Sequence, residues 1–186
     1  MKTLIFIGSP RKKGNTASLV AELVKRLDGE TKIISAYYCN VKACIDCRFC
    51  WKNTGCAVKD EMQEIYEYIQ EADNIVIASP MYFSELTGQL LAVMSRLQTY
   101  WCAKFFRHEN PVPKKKRGGI IIVRGGDGYF EKAEATAKIL LHDMNAKEVA
   151  TIFADNSDTI ASVDDKAVME GIKRLAEELN KQDILI

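Results

Sequence analysis

Residues 2–16 read Lys2-Thr3-Leu4-Ile5-Phe6-Ile7-Gly8-Ser9-Pro10-Arg11-Lys12-Lys13-Gly14-Asn15-Thr16. An apolar run stops at a glycine, passes through a basic, hydroxyl-bearing segment and gives way to an amphipathic helical pattern. A strand followed by such a loop and then a helix is the opening unit of an alternating α/β fold, and its loop is built to bind an anion. Gly8 and Gly14 permit sharp turns and close backbone approach, Pro10 stiffens the path, and Asn15 and Thr16 bring donors and free N–H groups to the start of the helix. Arg11 can grip phosphate oxygens in bidentate fashion, whereas Lys12 and Lys13 read as solvated charges near the mouth. The loop has neither the G-x-x-x-x-G-K-[ST] spacing of a nucleoside-triphosphate loop nor the G-x-G-x-x-G of a dinucleotide site. No acidic residue for a ribose closes the second strand, where Ile33-Ile34-Ser35-Ala36-Tyr37 stands. A single terminal phosphate fits this loop best.

Outward from this unit the alternation continues. Lys2 to Ile7, Thr31 to Ala36, Asn74 to Ser79, Gly119 to Val123 and Glu148 to Phe153 read as strands, apolar on both faces as a helix-covered parallel sheet requires. Helical patterns lie at about 16–28, 60–71, 88–100, 129–145 and 164–181. Five such units make a doubly wound sheet, with ligands at the carboxyl ends of strands one, three and four. The loops 8–15, 79–88 and 124–129 follow those strands. A longer insertion at 37–59 leaves the second strand at the same edge and carries a cluster of cysteines.

At 186 residues, 47% hydrophobic and 27% charged, the chain has the makeup of one domain. A net charge of +1 gives no general pull toward nucleic acid or membrane, so the expected partners are small molecules or a redox protein. The run Leu4-Ile5-Phe6-Ile7 is too short for a signal-peptide core and no segment is long enough for a membrane span, so the expected location is the cytoplasm. Four of six cysteines fall between 44 and 56, which in that compartment points to metal or redox chemistry.

Strand, Gly-Ser-Pro-Arg, a basic stretch, Gly-Asn-Thr and helix together resemble the opening of the NAD(P)H-dependent FMN reductases of flavodoxin-like fold. Ala78-Ser79-Pro80-Met81-Tyr82-Phe83 with Thr87-Gly88-Gln89-Leu90 resembles that family's second flavin loop. Cys44-x2-Cys47-x2-Cys50-x5-Cys56 resembles the compact cysteine motif of its iron–sulfur flavoprotein branch. The resemblance implies a single flavodoxin-like domain over 1–186, with strand order 2-1-3-4-5. It also implies that Ser9, Arg11, Gly14, Asn15 and Thr16 bind the phosphate of FMN, and that Pro80, Met81, Tyr82 and Phe83 lie along the isoalloxazine ring. Gly125 and Gly126 would let a third loop approach the ring's other edge.

The residues themselves leave some readings open. A flat aromatic pair and backbone amides at the end of the third strand suit a planar heterocycle, although such residues also fill cores. Gly125-Gly126-Asp127-Gly128 serves equally as a simple turn. The cysteine run allows a disulfide, a zinc site, a 4Fe-4S cluster held by Cys44, Cys47, Cys50 and Cys56, or a loop of free thiols. Asp60 reads as a helix cap with Gln63 three residues on. The segment Gln89 to Leu97, with Tyr100, Trp101, Phe105 and Phe106, is apolar all round, which suggests a subunit interface in a homodimer or homotetramer with the aromatics partly walling a substrate pocket. Lys114-Lys115-Lys116-Arg117 reads as a solvated loop rather than an NADPH-phosphate site. His108, His142, Cys39 and Cys102 receive no role, with buried packing the default for the two cysteines.

These readings converge on an FMN-dependent oxidoreductase. It would take a hydride from NAD(P)H and deliver reducing equivalents to a quinone, a nitro or azo compound, free flavin or a redox protein, with the flavin carrying the chemistry and no catalytic side chain required. An iron–sulfur electron carrier that exchanges electrons with ferredoxin, and a non-enzymatic flavin- or metal-sensing module, are the alternatives.

Overall fold

Strand β1 (Lys2–Ile7) shows why both faces of the sheet are apolar: Leu4 and Phe6 belong to one core, Ile5 and Ile7 to another. The computed structural model, which describes residues 1–126 and 128–182, repeats this division across the sheet. In β3 (Asn74–Tyr82) and β5 (Lys116–Val123), Ile75, Ile77, Ile120 and Ile122 join the first core, while Val76, Ala78, Ile121 and Val123 join the second. The first core is closed by α2 (Met62–Glu71), α3 (Gly88–Met94), α4 (Gln98–Phe106) and α5 (Glu131–Asp143), which contribute residues such as Ile65, Leu90, Tyr100 and Leu141. The second is closed by α1 (Asn15–Val24) and α6 (Lys166–Leu179) through Leu19, Leu23, Ile172 and Leu175. Each such side chain contributes about 1.5–3 kcal/mol on full burial, so the helices are held chiefly by their apolar faces. Asp165 caps α6, accepting from the N–H groups of Ala167 and Val168 at 2.8 and 3.2 Å.

The parallel strands run in the order β2-β1-β3-β5-β6, with β2 at Glu30–Ser35 and β6 at Ala146–Ala154. The expectation of five strands in the order 2-1-3-4-5 needs one correction: a sixth, two-residue strand β4 (Glu85–Leu86) pairs antiparallel with the end of β3. Strand β3 runs three residues beyond Ser79, and Met81 and Tyr82 pair with Leu86 and Glu85. Phe83 and Ser84 make the turn, both in the left-handed region at φ +52° and +61°. Two such residues are what the twist of a two-residue hairpin loop demands.

The helix expected over 88–100 is also corrected. It breaks into α3, a 3-10 turn at Ser95–Leu97, and α4, which continues to Phe106. The Ser95 hydroxyl donates back to the Ala92 carbonyl at 2.6 Å, a bond that competes with the helical ladder. The tightened turn places Arg96 inside the protein.

The basic run divides. Lys114 and Lys115 are exposed, but Lys116 and Arg117 are buried as the first residues of β5, contrary to the solvated loop expected of all four. Arg117 pairs with Asn74 of β3 and Lys116 with Ala146 of β6, at the end of the sheet opposite the loops that follow β1 and β3.

Candidate functional site

The loop after β1 is fastened to the loop after β3 before it reaches α1. The Gly8 N–H donates to Ala78 O at 2.8 Å, and the Thr87 hydroxyl donates to Gly8 O at 2.8 Å. A Cβ at Gly8 would stand 2.7 Å from Ser79 Oγ and 2.8 Å from Thr87 Oγ1, so only glycine lets the two loops meet. Beyond it, Ser9 Oγ accepts the Arg11 N–H at 3.2 Å and fixes the turn. Gly14 supplies no capping side chain to α1, so the helix's first N–H groups remain available where the loop faces a cleft.

That cleft, of about 230 Å³, is lined by Ser9, Pro10, Arg11, Gly14, Asn15 and Thr16 from the first loop and by Pro80, Met81 and Tyr82 from the second. Gly125 lines it from the loop after β5. The structure therefore brings together nine of the eleven residues expected to hold a cofactor. Phe83 and Gly126 are not among those lining the cleft. Phe83 is fully exposed at the tip of the hairpin, because the left-handed turn that reverses the chain directs it outward from the protein. Asp127 lies outside the described residues.

Asn15 lines the cleft, yet its side chain is engaged elsewhere. Its Nδ2 donates to Ser157 O at 3.0 Å and its Oδ1 accepts the Ser162 N–H at 3.0 Å. It braces the segment after β6 against the first loop. That segment was not anticipated from the sequence: Ser157 and Asp158 line the cleft, as do Val123 and Arg124 at the end of β5. Arg124 is buried, donates from Nη2 to Asp155 Oδ2 at 2.9 Å and from Nη1 to Gly128 O at 2.8 Å, and stacks over Phe130 with 4.8 Å to the ring centroid. The Asp158 carboxylate packs against Gly125 where a Cβ would otherwise stand.

The cysteines occupy a second cavity. Cys44, Cys47, Cys50 and Cys56 all line it, together with Phe49, Trp51, Arg48, Arg96 and Thr99. Cys44 and Cys47 are exposed and Cys50 and Cys56 half-buried, and no disulfide links them. Among the described residues, no group of three or more His, Cys, Asp or Glu is gathered closely enough to hold a metal ion. Two observations nevertheless fit an iron–sulfur cluster: the donors are four thiols on one cavity, and the buried Nε of Arg96 in its wall has no hydrogen-bond partner. Burial, with the Cys102 thiol beside it, pushes Cys50 up to about 12.

Asp60 acts as more than a cap. Its Oδ1 accepts the Met62 N–H at 3.1 Å, while its Oδ2 accepts Lys42 N–H at 3.0 Å and Arg96 Nη1 at 2.7 Å. Burial opposes its ionisation, but the hydrogen bonds from Arg96, Lys42 and Met62 outweigh it and hold the carboxyl below its ordinary range. Gln63 donates to Val58 O rather than closing a capping box. The exposed aromatics Trp101, Phe105 and Phe106 do not line the cleft, contrary to the substrate wall expected. Phe106 packs on Trp51 of the cysteine loop, 4.6 Å between centroids.

A family model for NADPH-dependent FMN reductases matches residues 1–159. The chain belongs to that family. Within this FMN reductase family, an iron-sulfur flavoprotein of Methanosarcina thermophila is 30% identical over 161 residues, 84% of this chain and 79% of that one. An iron-sulfur flavoprotein of Archaeoglobus fulgidus is 29% identical over 135 residues, 71% of this chain and 58% of that one. The matched region spans 48% to 66% of the length of several of these curated relatives. Among solved structures, the NAD(P)H:quinone oxidoreductase from Methanothermobacter marburgensis superposes with a TM-score of 0.74 at 15% identity, covering 100% of this chain and 99% of that one, which establishes the shared fold.

Proposed function

We propose that this FMN reductase-family chain is an FMN-dependent oxidoreductase that accepts a hydride from NAD(P)H and passes reducing equivalents to a quinone, a nitro or azo compound, flavin or a redox protein. The observation that carries this reading is the convergence of the loops after β1, β3 and β5 on one cleft at the carboxyl end of the sheet. FMN, when bound, supplies hydride and single-electron chemistry. The chain's own residues bind and orient. Arg11, Ser9, Thr16 and the open N–H groups of α1 receive the phosphate, and Pro80, Met81 and Tyr82 offer a flat wall to the ring. Gly125 allows the third loop close to the ring's far edge. Kinship supports the choice of acceptor class, since structural neighbours include a quinone oxidoreductase and an FMN-dependent NADH-azoreductase from Bacillus anthracis in complex with FMN.

The shared cavity of the four cysteines favours the second reading, in which a 4Fe-4S cluster on Cys44, Cys47, Cys50 and Cys56 passes single electrons between the flavin and a ferredoxin-like partner. The iron-sulfur flavoproteins among its relatives support it. The exposed face of Trp101, Phe105 and Phe106 is the surface proposed for subunit contact in a homodimer or homotetramer. Among the described residues, no helix is long and apolar enough to cross a membrane.

The test is anaerobic. Protein loaded with FMN is mixed with NADPH, then NADH, and the flavin spectrum is followed before and after adding a quinone or azo dye. Bleaching by at least one nucleotide and recovery with acceptor are expected. Bound flavin that neither nucleotide reduces contradicts the enzymatic reading.

A further inference from the structure

The cysteine loop has little regular secondary structure, only a 3-10 turn at Phe49–Trp51, and yet its backbone is held at several points by side chains from the helical segment opposite. Ser95 Oγ accepts the Cys44 N–H at 2.9 Å. Thr99 Oγ1 donates to Gly55 O at 2.9 Å, beside Cys56. Arg107 Nη1 donates to the carbonyl of Cys50 itself. Arg96 stands at the centre of this arrangement, with Nη1 donating to Lys42 O at 3.0 Å and to Asp60 Oδ2 at 2.7 Å, and Nη2 donating to Val58 O at 3.0 Å. One guanidinium thus joins the two ends of the loop, residues 42 and 58–60, across the cavity that the four thiols line.

The Arg96 side chain is wholly buried, as is that of Asp60 at 4% exposure. Its two terminal nitrogens are committed, but Nε has no acceptor. A buried guanidinium N–H without a partner is costly, so a bound group that accepts from it is stabilised by the contact. Four thiols line the same cavity as Arg96, and Cys56 is among the groups whose charge acts on its guanidinium.

We propose that Arg96 is a positioning residue of the cysteine site: it clamps the two ends of the loop and holds its Nε–H for an anionic sulfur of an iron–sulfur cluster bound there. This rests on the reading that Cys44, Cys47, Cys50 and Cys56 hold such a cluster. Thiolate-ligated clusters carry net negative charge that grows on reduction, so a buried donor and cation beside the sulfur favours the reduced state and raises the reduction potential. The same contacts hold the loop in shape and slow the loss of iron.

Two measurements test this. First, wild-type protein and Arg96→Lys are reconstituted anaerobically with iron and sulfide. Iron per chain, the rate of iron loss to a chelator and the cluster potential by EPR-monitored titration are compared. Arg96→Lys is expected to lose iron about 10- to 100-fold faster and to show a lower potential, with FMN uptake unchanged. Equal rates and potentials in the two proteins overturn the role of Arg96. A wild-type protein that takes up no iron overturns the cluster reading itself, and this proposal with it.

Second, because Arg96→Lys removes the partner of a buried carboxylate and can impair folding, the otherwise unchanged contact is probed with [15N]arginine. Labelled protein carrying Arg48→Lys and Arg107→Lys is used, since Arg48 also lines the cavity and Arg107 donates to the Cys50 carbonyl. Hyperfine coupling from an arginine nitrogen to the reduced cluster is expected, and its absence in cluster-loaded protein overturns the proposal.

Discussion

Gly8 shows how a single missing Cβ organises the site. Its N–H and C=O are both used to draw the first loop against Ala78 and Thr87, and Ser79 Oγ, Thr87 Oγ1 and Leu90 Cδ2 all lie within 2.9 Å of where a methyl would stand. Overpacking at such a junction costs about 1–3 kcal/mol. Gly8→Ala is therefore expected to lower the urea-unfolding free energy by that amount and to weaken FMN binding, because the loops that share the ligand are pushed apart. Unchanged stability and affinity would show that the junction is slack. Asn15 carries the opposite lesson. Its place at the head of α1 made it a natural phosphate ligand on sequence grounds, but its amide can both donate and accept, and it satisfies both with Ser157 and Ser162. The partners lie more than 140 residues away, so nothing local in the sequence announces them.

At the scale of elements, apolar runs and turn residues announced the parallel strands and the helices that cover them, because burial on both faces leaves a continuous hydrophobic pattern. What they missed was tertiary in origin. The hairpin of β3 and β4 turns through Phe83 and Ser84 rather than the glycine or asparagine that marks such a turn, and the break at Ser95–Leu97 carries Arg96 inward to a distant partner, Asp60. The start of β5 is another case: Lys116 looks like part of a surface charge run, but it is buried and donates to Lys114 O at 2.7 Å. Burial, then the neighbouring charge of Lys114, lowers its pKa to about 8, with Asp73 opposing. Its folded value lies below its unfolded one, so between about pH 8 and pH 10 the unfolded chain binds a proton that the folded chain does not, and stability rises with pH. Urea unfolding of wild type at pH 7 and pH 9.5 is expected to show a gain on the order of 2 kcal/mol relative to Lys116→Met over the same interval. Parallel pH profiles for the two proteins would contradict this.

For the whole molecule, the switch-point rule directs attention to the loops after β1, β3 and β5, and the cleft they line extends one strand further. The segment after β6 contributes Ser157 and Asp158, and Asp155 fixes the buried Arg124 in the wall. A continuous apolar run shows where a strand ends; it carries no record of which distant loop folds over its end. The cysteine loop was visible by spacing alone, whereas its anchorage by Ser95, Arg96, Thr99 and Arg107 emerges only when α3 and α4 are packed beside it.

The central claim is that the loop from Gly8 to Thr16 cradles the terminal phosphate of FMN, and the most direct measurement compares FMN with riboflavin, which differs only in lacking that phosphate. Binding of each to the flavin-free protein is followed by quenching of flavin fluorescence. Charge-assisted hydrogen bonds from Arg11 and the α1 N-terminus each contribute about 1.5–3 kcal/mol, so FMN is expected to bind at one per chain and at least about 100-fold more tightly than riboflavin. Equal affinities for the two flavins, or no binding of FMN, would contradict the account.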